Sequence, residues 1–372
     1  MKKGFLTYSL SSAFYDMAAN LMRSFGLVFF YIKSGDNIYV AIGAYALSTC
    51  FSLVFLYSFA KFIGKIGTKY ALIISRIAYL LATIPVLVLN EQNYLQALLF
   101  WSFLYGIAKA MYFIPQHYMI INMTDKLKRG HSIGMLMAIS ALIGIFSPFV
   151  AGFISSNYGN VGYGIMIAIA FFMSAILMQE IPNLKFRYTG EIKDSLNLKN
   201  IKRELKYSIL IQLQSQDGFW QVNIFRIFQN SFIELGVITT LVNLIGAMFN
   251  MILGKWLDKH DRLQALRITG FMQGSGWLMR LLVNTPLGVL VSDSYMQLST
   301  RALSESATVF TYDLLSVRGN EVLLDEKIVA REIVLNFTWI MVAILSLILF
   351  YFLGMGSVFI LAIIANLGIV IL

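Results

Sequence analysis

The chain has 372 residues, of which 58% are hydrophobic and only 13% charged. A water-soluble domain carries about 25% charged residues, so this composition excludes an ordinary soluble globular protein and points to a bilayer as solvent. The +10 net charge would suit a nucleic-acid partner, but its distribution, described below, excludes that reading, and a single cysteine, Cys50, excludes an intramolecular disulfide framework.

A membrane span needs about 20 mostly apolar residues. Taken in chain order, twelve segments qualify: 5–32, 38–59, 71–89, 94–123, 132–155, 161–181, 209–232, 236–256, 265–283, 286–315, 328–352 and 355–372. Met1-Lys2-Lys3 resembles the start of a signal peptide, but Asp16 and Arg23 follow and no small-residue cleavage site is evident, so the first segment is read as a retained span. Spans seven and ten are weak by hydropathy and are required by the internal repeat.

Basic residues fall almost entirely on one side of these spans. Lys2, Lys3, Lys61, Lys65, Lys69, Lys126, Lys128, Arg129, Lys255, Lys259, Arg262, Arg318, Lys327, Arg331 and the basic stretch 185–206 share that side, against Lys33 alone on the other. The positive-inside rule then places both termini in the cytoplasm, and the bias accounts for the net charge with a lipid bilayer, not nucleic acid, as partner. Asn183 to Lys206 is the longest polar stretch and reads as a cytoplasmic linker with a surface-lying amphipathic helix. The expected division is 1–182, a six-helix bundle; 183–206, the linker; and 207–372, a second six-helix bundle.

The halves echo each other. Ala60-Lys61-Phe62-Ile63-Gly64-Lys65-Ile66-Gly67 recurs loosely as Gly254-Lys255-Trp256-Leu257-Asp258-Lys259-His260-Asp261, each copy between two apolar spans. Asn20-Leu21-Met22-Arg23 recurs as Asn223-Ile224-Phe225-Arg226, and Lys109-Ala110-Met111 as Arg301-Ala302-Leu303. Duplicated sets of spans are a transporter plan.

The loop after span eight, with Gly254, Asp258, Lys259, Arg262 and Leu266, and its first-half copy, with Lys65, Gly67, Lys69 and Leu72, resemble the signature loop of the major facilitator superfamily. The resemblance implies an all-α membrane protein of twelve transmembrane helices, in two bundles related by a pseudo-two-fold axis. It also implies that Gly254, Asp258, Arg262 and Gly67 belong to a cytoplasmic gate, with Asp258 meeting the start of span five near Arg129–Ser132. Gly64 stands where the family has its acid, which sets the first-half copy apart. Ser147-Pro148-Phe149-Val150-Ala151-Gly152 in span five resembles a Gly-rich segment of antiporter members; plain helix packing is the preferred reading.

Polar residues inside spans are costly and mark cavities or partners. They form stripes on spans one (Asp16, Asn20, Arg23), four (Tyr105, Lys109, Tyr112, Gln116), seven (Gln212, Gln216, Asn223, Arg226, Asn230) and ten (Gln297, Arg301, Glu305), the spans that line the central cavity in the family resembled. Asn20, Arg23, Lys109, Tyr112, Asn223, Arg226, Gln297 and Arg301 are therefore expected to bind substrate. Opposed cations call for an anion between them, and guanidinium groups suit oxyanions. Glu305, or Asp16 or Asp217, is expected to exchange the coupling proton, in alternating access. Trp101 and Tyr94 are read as interfacial anchors.

No phosphate-binding Gly-rich loop and no His-Glu-x-x-His appears, and His117, His131 and His260 stand apart. The expectation is no enzyme, no cofactor and no metal site: a monomeric inner-membrane symporter or antiporter of a small, polar, anionic organic solute. Proton-driven multidrug efflux and a non-transporting scaffold or lipid scramblase are the alternatives.

Overall fold

Each long apolar run is helical, because a backbone removed from water must pair its own N–H and C=O groups. The computed structural model describes residues 4–124, 129–186, 188, 202–257, 262–315 and 321–371, and among them no strand occurs. Ile38–Ile66, Thr68–Leu87, Tyr94–Met123, Ser132–Met178 and Asp325–Leu353 are long and apolar enough to cross a membrane; Phe232–Met248 and Met355–Ile371 are shorter apolar helices. Spans two, eight, nine, ten, eleven and twelve correspond to Ile38–Ile66, Phe232–Leu257, Arg262–Leu282, Pro286–Leu315, Glu321–Leu353 and Met355–Ile371. Spans five and six share Arg129–Gly144 and Ser147–Met178, the latter bent at Gly159, whose φ of 59° only glycine adopts without strain.

The other spans are interrupted, and the causes are local. Span three divides into Thr68–Leu81 and Thr83–Leu87. Span four divides into Tyr94–Ala110 and Phe113–Met123: Pro115 can neither donate to the Met111 carbonyl nor lie beside it, so the helix yields at Met111–Tyr112. Pro148 has the same relation to Gly144, where the first helix of span five ends. Span seven divides into Lys202–Leu213 and Asp217–Ile227. Gln214 and Gln216 in that break are held from outside, Gln214 by Gln273 at 3.1 Å and Gln216 by the Ser346 hydroxyl at 3.0 Å.

Span one runs from Phe5 to Leu21, widens into a π turn at Met22–Gly26 and continues through Leu27–Lys33. A π turn shifts the backbone bonding register and leaves a carbonyl short of its usual donor. Two tyrosines supply the deficit: Tyr163 donates to the Leu21 carbonyl at 2.7 Å and Tyr45 to that of Met22 at 2.8 Å.

The halves pack alike. Span two lies on span four as eight lies on ten, and three on four as nine on ten. Between the halves, span two packs on eleven and span five on eight. At the second of these contacts Gly152 faces Gly236, and the Phe149 N–H donates to Thr240 Oγ1 at 3.0 Å.

Two expectations are corrected here. Ala60–Ile66 is not a loop but the last part of span two; the turn is Gly67 alone, with φ 86°. Trp101 is not an interfacial anchor: it is buried and stacks on Tyr105 at 4.5 Å, because this part of span four is covered by Phe30 and Tyr45.

Candidate functional site

Exposure separates two kinds of helix face. Val54, Ile74, Ile169, Phe271, Ile344 and Ile364 are exposed large apolar residues along spans two, three, six, nine, eleven and twelve, which is what a lipid-facing surface requires. Span one exposes no large apolar residue beyond Leu6, and the described part of span seven exposes none. Midway along span one the exposed residues are Asn20 and Arg23, and on span seven Asp217 and Arg226 are exposed.

Asn20 and Arg23 lie one turn apart, and the Arg23 guanidinium donates to Asn20 Oδ1 at 2.5 Å. Arg23 sits inside the π turn, and the hydroxyls of Tyr15, Tyr45, Tyr79 and Tyr105 lie within its electrostatic reach. Lys109, half-buried at the break of span four, donates to Thr49 Oγ1 at 2.8 Å. Tyr112 does not share its face. The break between them ends the helical periodicity on which that stripe was built, and Tyr112 is buried against Tyr15 with ring centroids 4.1 Å apart. Asp16 is half-buried and accepts from Ser140 of span five at 2.9 Å.

In the second half, Arg226 reaches across to span one. Its Nε donates to the Tyr31 hydroxyl at 2.9 Å, and the guanidinium lies 5.5 Å from that ring. Asn223 is half-buried on the same helix. Asn230 leaves the stripe: with φ 66° it belongs to the turn before span eight. Gln297 donates to Asn243 Oδ1 of span eight at 3.0 Å. Asp217 lies 3.4 Å from Arg280, which binds Asp293 at 2.9 Å. Arg301, Glu305, Gly254 and Arg262 are described as helix only, so their side chains, like Asp258 as a whole, lie outside the described residues.

Gly67 has its partner in its own half. The chain after span six folds back over the turn: Asn183 bonds the Lys69 N–H and the Ile66 carbonyl, both at 3.0 Å, and Leu184 accepts from Thr68. A side chain on Gly67 would collide with Asn183. The Lys69 ammonium adds a bond to the Gln179 carbonyl. This clasp joins spans two, three and six, whereas the resemblance implied a gate between the halves.

Three charged groups outside the four striped spans were not anticipated. Arg76 of span three is fully buried and stacked on Tyr15. Arg280 of span nine lies between Trp220 and Trp277 and shares Asp293 with the Trp220 indole N–H, at 2.8 Å. Arg331 and Glu332 of span eleven meet His117 of span four across the junction of the halves, at 3.1 and 3.2 Å. All are ionisable residues within apolar helices, and that signal alone could have flagged them.

A family model described as Major Facilitator Superfamily matches residues 4–206. No curated protein matches the chain. Among solved structures, a bacterial homologue of iron transporter ferroportin in the outward-facing state resembles it with a TM-score of 0.68 at 13% identity, over 99% of this chain and 97% of that one. A second structure of such a homologue, with soaked iron, gives 0.64 at 14% identity over 100% and 99%. At these identities the likeness speaks for the fold.

Proposed function

We propose that this chain, which belongs to the Major Facilitator Superfamily, moves a small anionic organic solute across the membrane by proton-coupled alternating access. That it is an integral membrane transporter, not an enzyme, follows from the family; the solute, the coupling and the residues are our reading. The observation that carries the reading is the excess of cations on exposed polar faces. Arg23 and Arg226 are exposed and Lys109 is half-buried, whereas Asp16 is engaged by Ser140 and Asp217 lies beside Arg280. Cations gathered on one cavity wall within a membrane repel unless an anion enters. Asn20, Asn223, Gln297 and Arg301 complete the proposed site, and Glu305, Asp16 or Asp217 carries the proton.

The rest of the reading follows the charge pattern. Residues 1–182 and 207–372 rock about the site, 183–206 join them, and both termini face the cytoplasm of a prokaryotic cell. Gly254, Asp258 and Arg262 remain the proposed cytoplasmic gate.

The neighbours' description as homologues of an iron transporter favours a second reading, a divalent-metal cargo. Metal ligation calls for converging carboxylate, imidazole or thiolate groups. Among the described residues no three such groups come together, so the anion is preferred.

A thermal-shift screen of the purified protein, divided among carboxylates, phosphates, organic cations and Fe²⁺, decides between them. Anions should stabilise the protein, and Lys109→Ala or Arg301→Ala should remove the effect. Stabilisation by Fe²⁺ or by organic cations alone would overturn the anion reading.

A further inference from the structure

Arg76 is in an unusual position for a charge. It is 0% exposed, and neither of its terminal nitrogens has a hydrogen-bond partner. Only Nε is satisfied, by Ser174 Oγ of span six at 2.9 Å. The guanidinium carbon lies 4.0 Å from the ring centre of Tyr15 and 4.8 Å from that of Tyr112. Aromatic faces attract a cation but leave its N–H groups unsatisfied. Arg280 and Glu332, also buried, contrast with it: Arg280 has Asp293, and Glu332 has Arg331 and His117. Buried ions are normally paired in this way, because an unpaired one bears the full cost of leaving water.

One carboxylate is near. Asp16 follows Tyr15 in the chain, and the Tyr15 ring carries Arg76. At present Asp16 is turned to span five, where Ser140 holds it. It is half-buried and so reaches the exposed polar face that holds Asn20 and Arg23. Around Asp16, Tyr15 and Arg76 stand, among the described residues, Tyr8 and Arg23 of span one, Tyr79 of span three, Tyr112 of span four, the uncharged Ser140 of span five, and Ser174 and Phe171 of span six. Tyr112, whose ring lies 4.8 Å from the same guanidinium, also has its hydroxyl buried without a hydrogen-bond partner.

We propose that Asp16 and Arg76 form a proton-controlled pair: the neutral carboxyl stays with Ser140, and the carboxylate, having released its proton to water, turns to the two free nitrogens of Arg76. Span one is thereby tied to span five in one protonation state and to span three in the other. Arg76 acts through Asp16 and touches no solute; it is a positioning residue. The inference rests on the proton-coupled reading above and selects Asp16 among its three acids.

Infrared titration of the purified full chain in detergent tests it without a known solute. The protonated-carboxyl band removed by Asp16→Asn is assigned to Asp16, and its midpoint is followed against pH. A cation within about 4–6 Å lowers a carboxyl midpoint by about 1–3 pH units, so Arg76→Gln should raise the midpoint by that amount, while Arg76→Lys, which keeps the charge, should leave it near the parent value. An equal midpoint in the parent and Arg76→Gln proteins would overturn the proposal. Should Arg76→Gln not fold, arginine labelled with ¹³C gives the second measurement. The guanidinium bands should change across the Asp16 titration in the parent protein and not in Asp16→Asn; bands that stay constant in the parent would equally overturn it. Coupling itself is read separately, as solute accumulation driven by a pH gradient in proteoliposomes, and its failure would leave the infrared midpoints as they are.

Discussion

Glu332 on span eleven stands 3.2 Å from His117 on span four, so an acid of the second half touches a base of the first, and Arg331 closes the group at 2.6 Å from the same carboxylate oxygen. Glu332 is buried. Removing one member of a buried ionic group leaves the others unpaired, at a cost on the order of 3 kcal/mol. Glu332→Gln should lower the unfolding free energy in micelles by about that much. His117→Gln, which keeps a polar group in place, should cost less. Equal stability of all three proteins would mean that the contact between the halves is energetically idle.

At the opposite end of the bundle, Arg226 donates to Tyr31 at 2.9 Å while lying near its ring. Tyr31→Phe keeps the ring and deletes the acceptor. The loss is a single partly exposed hydrogen bond, worth about 1 kcal/mol, and the apolar contacts of Phe25 and Phe29 with Phe232 remain. The prediction is a small fall in stability with faster alkylation of a cysteine introduced in place of the buried Val28, which leaves those rings intact. Unaltered labelling would show that these aromatic contacts alone hold that end closed.

The wide turn in span one gives a third prediction. Tyr163→Phe and Tyr45→Phe each remove the hydroxyl that serves a carbonyl of the turn. An unsatisfied buried carbonyl costs about 1–3 kcal/mol. Each variant should melt earlier, and the double variant should cost less than the two together, because the turn can relax to regular α-helix and dispense with both donors. That relaxation would move Arg23, so any anion-induced stabilisation should fall with it. Strict additivity, with anion binding intact, would count against the turn as the device that places Arg23.

Much of the fold was legible because its cause is local. Twenty apolar residues in a row dictate a helix wherever they lie, and Asn20 with Arg23, three residues apart, were bound to meet. The proline breaks at Met111 and Gly144 were also visible in principle, through Pro115 and Pro148, yet the stripe on span four was drawn as if the helix were continuous; hence the misplacing of Tyr112. The π turn at Met22–Gly26 has no proline to announce it. Its support comes from Tyr45 and Tyr163, which are distant in the chain. Arg76 was hidden for the same reason: its environment is made by Tyr15, Tyr112 and Ser174, and no spacing within span three points to any of them. Helix positions are written in neighbouring residues, while the surroundings of a buried charge are written in other helices.

A close backbone approach between the halves yields the last prediction. A methyl group on Gly152 would meet the Phe232 carbonyl and come within 3.2 Å of the Gly236 Cα; one on Gly236 would meet the Pro148 carbonyl and come within 3.2 Å of the Gly152 Cα. The obstacles are backbone atoms and cannot rotate aside, so spans five and eight must separate to admit even an alanine. Small residues allow helices to touch in a membrane, and enlarging them removes van der Waals contact along the whole crossing. Separation would also stretch the bond from the Phe149 N–H to Thr240. Gly152→Ala and Gly236→Ala should each cost about 1–3 kcal/mol, the usual penalty of overpacking. Once either methyl group has parted the helices, the other finds room, so the double variant should cost little more than the worse single one. Unfolding in micelles measures all three. Single variants as stable as the parent would mean that the halves do not meet at these glycines, and fully additive losses would mean that the two sites fail independently.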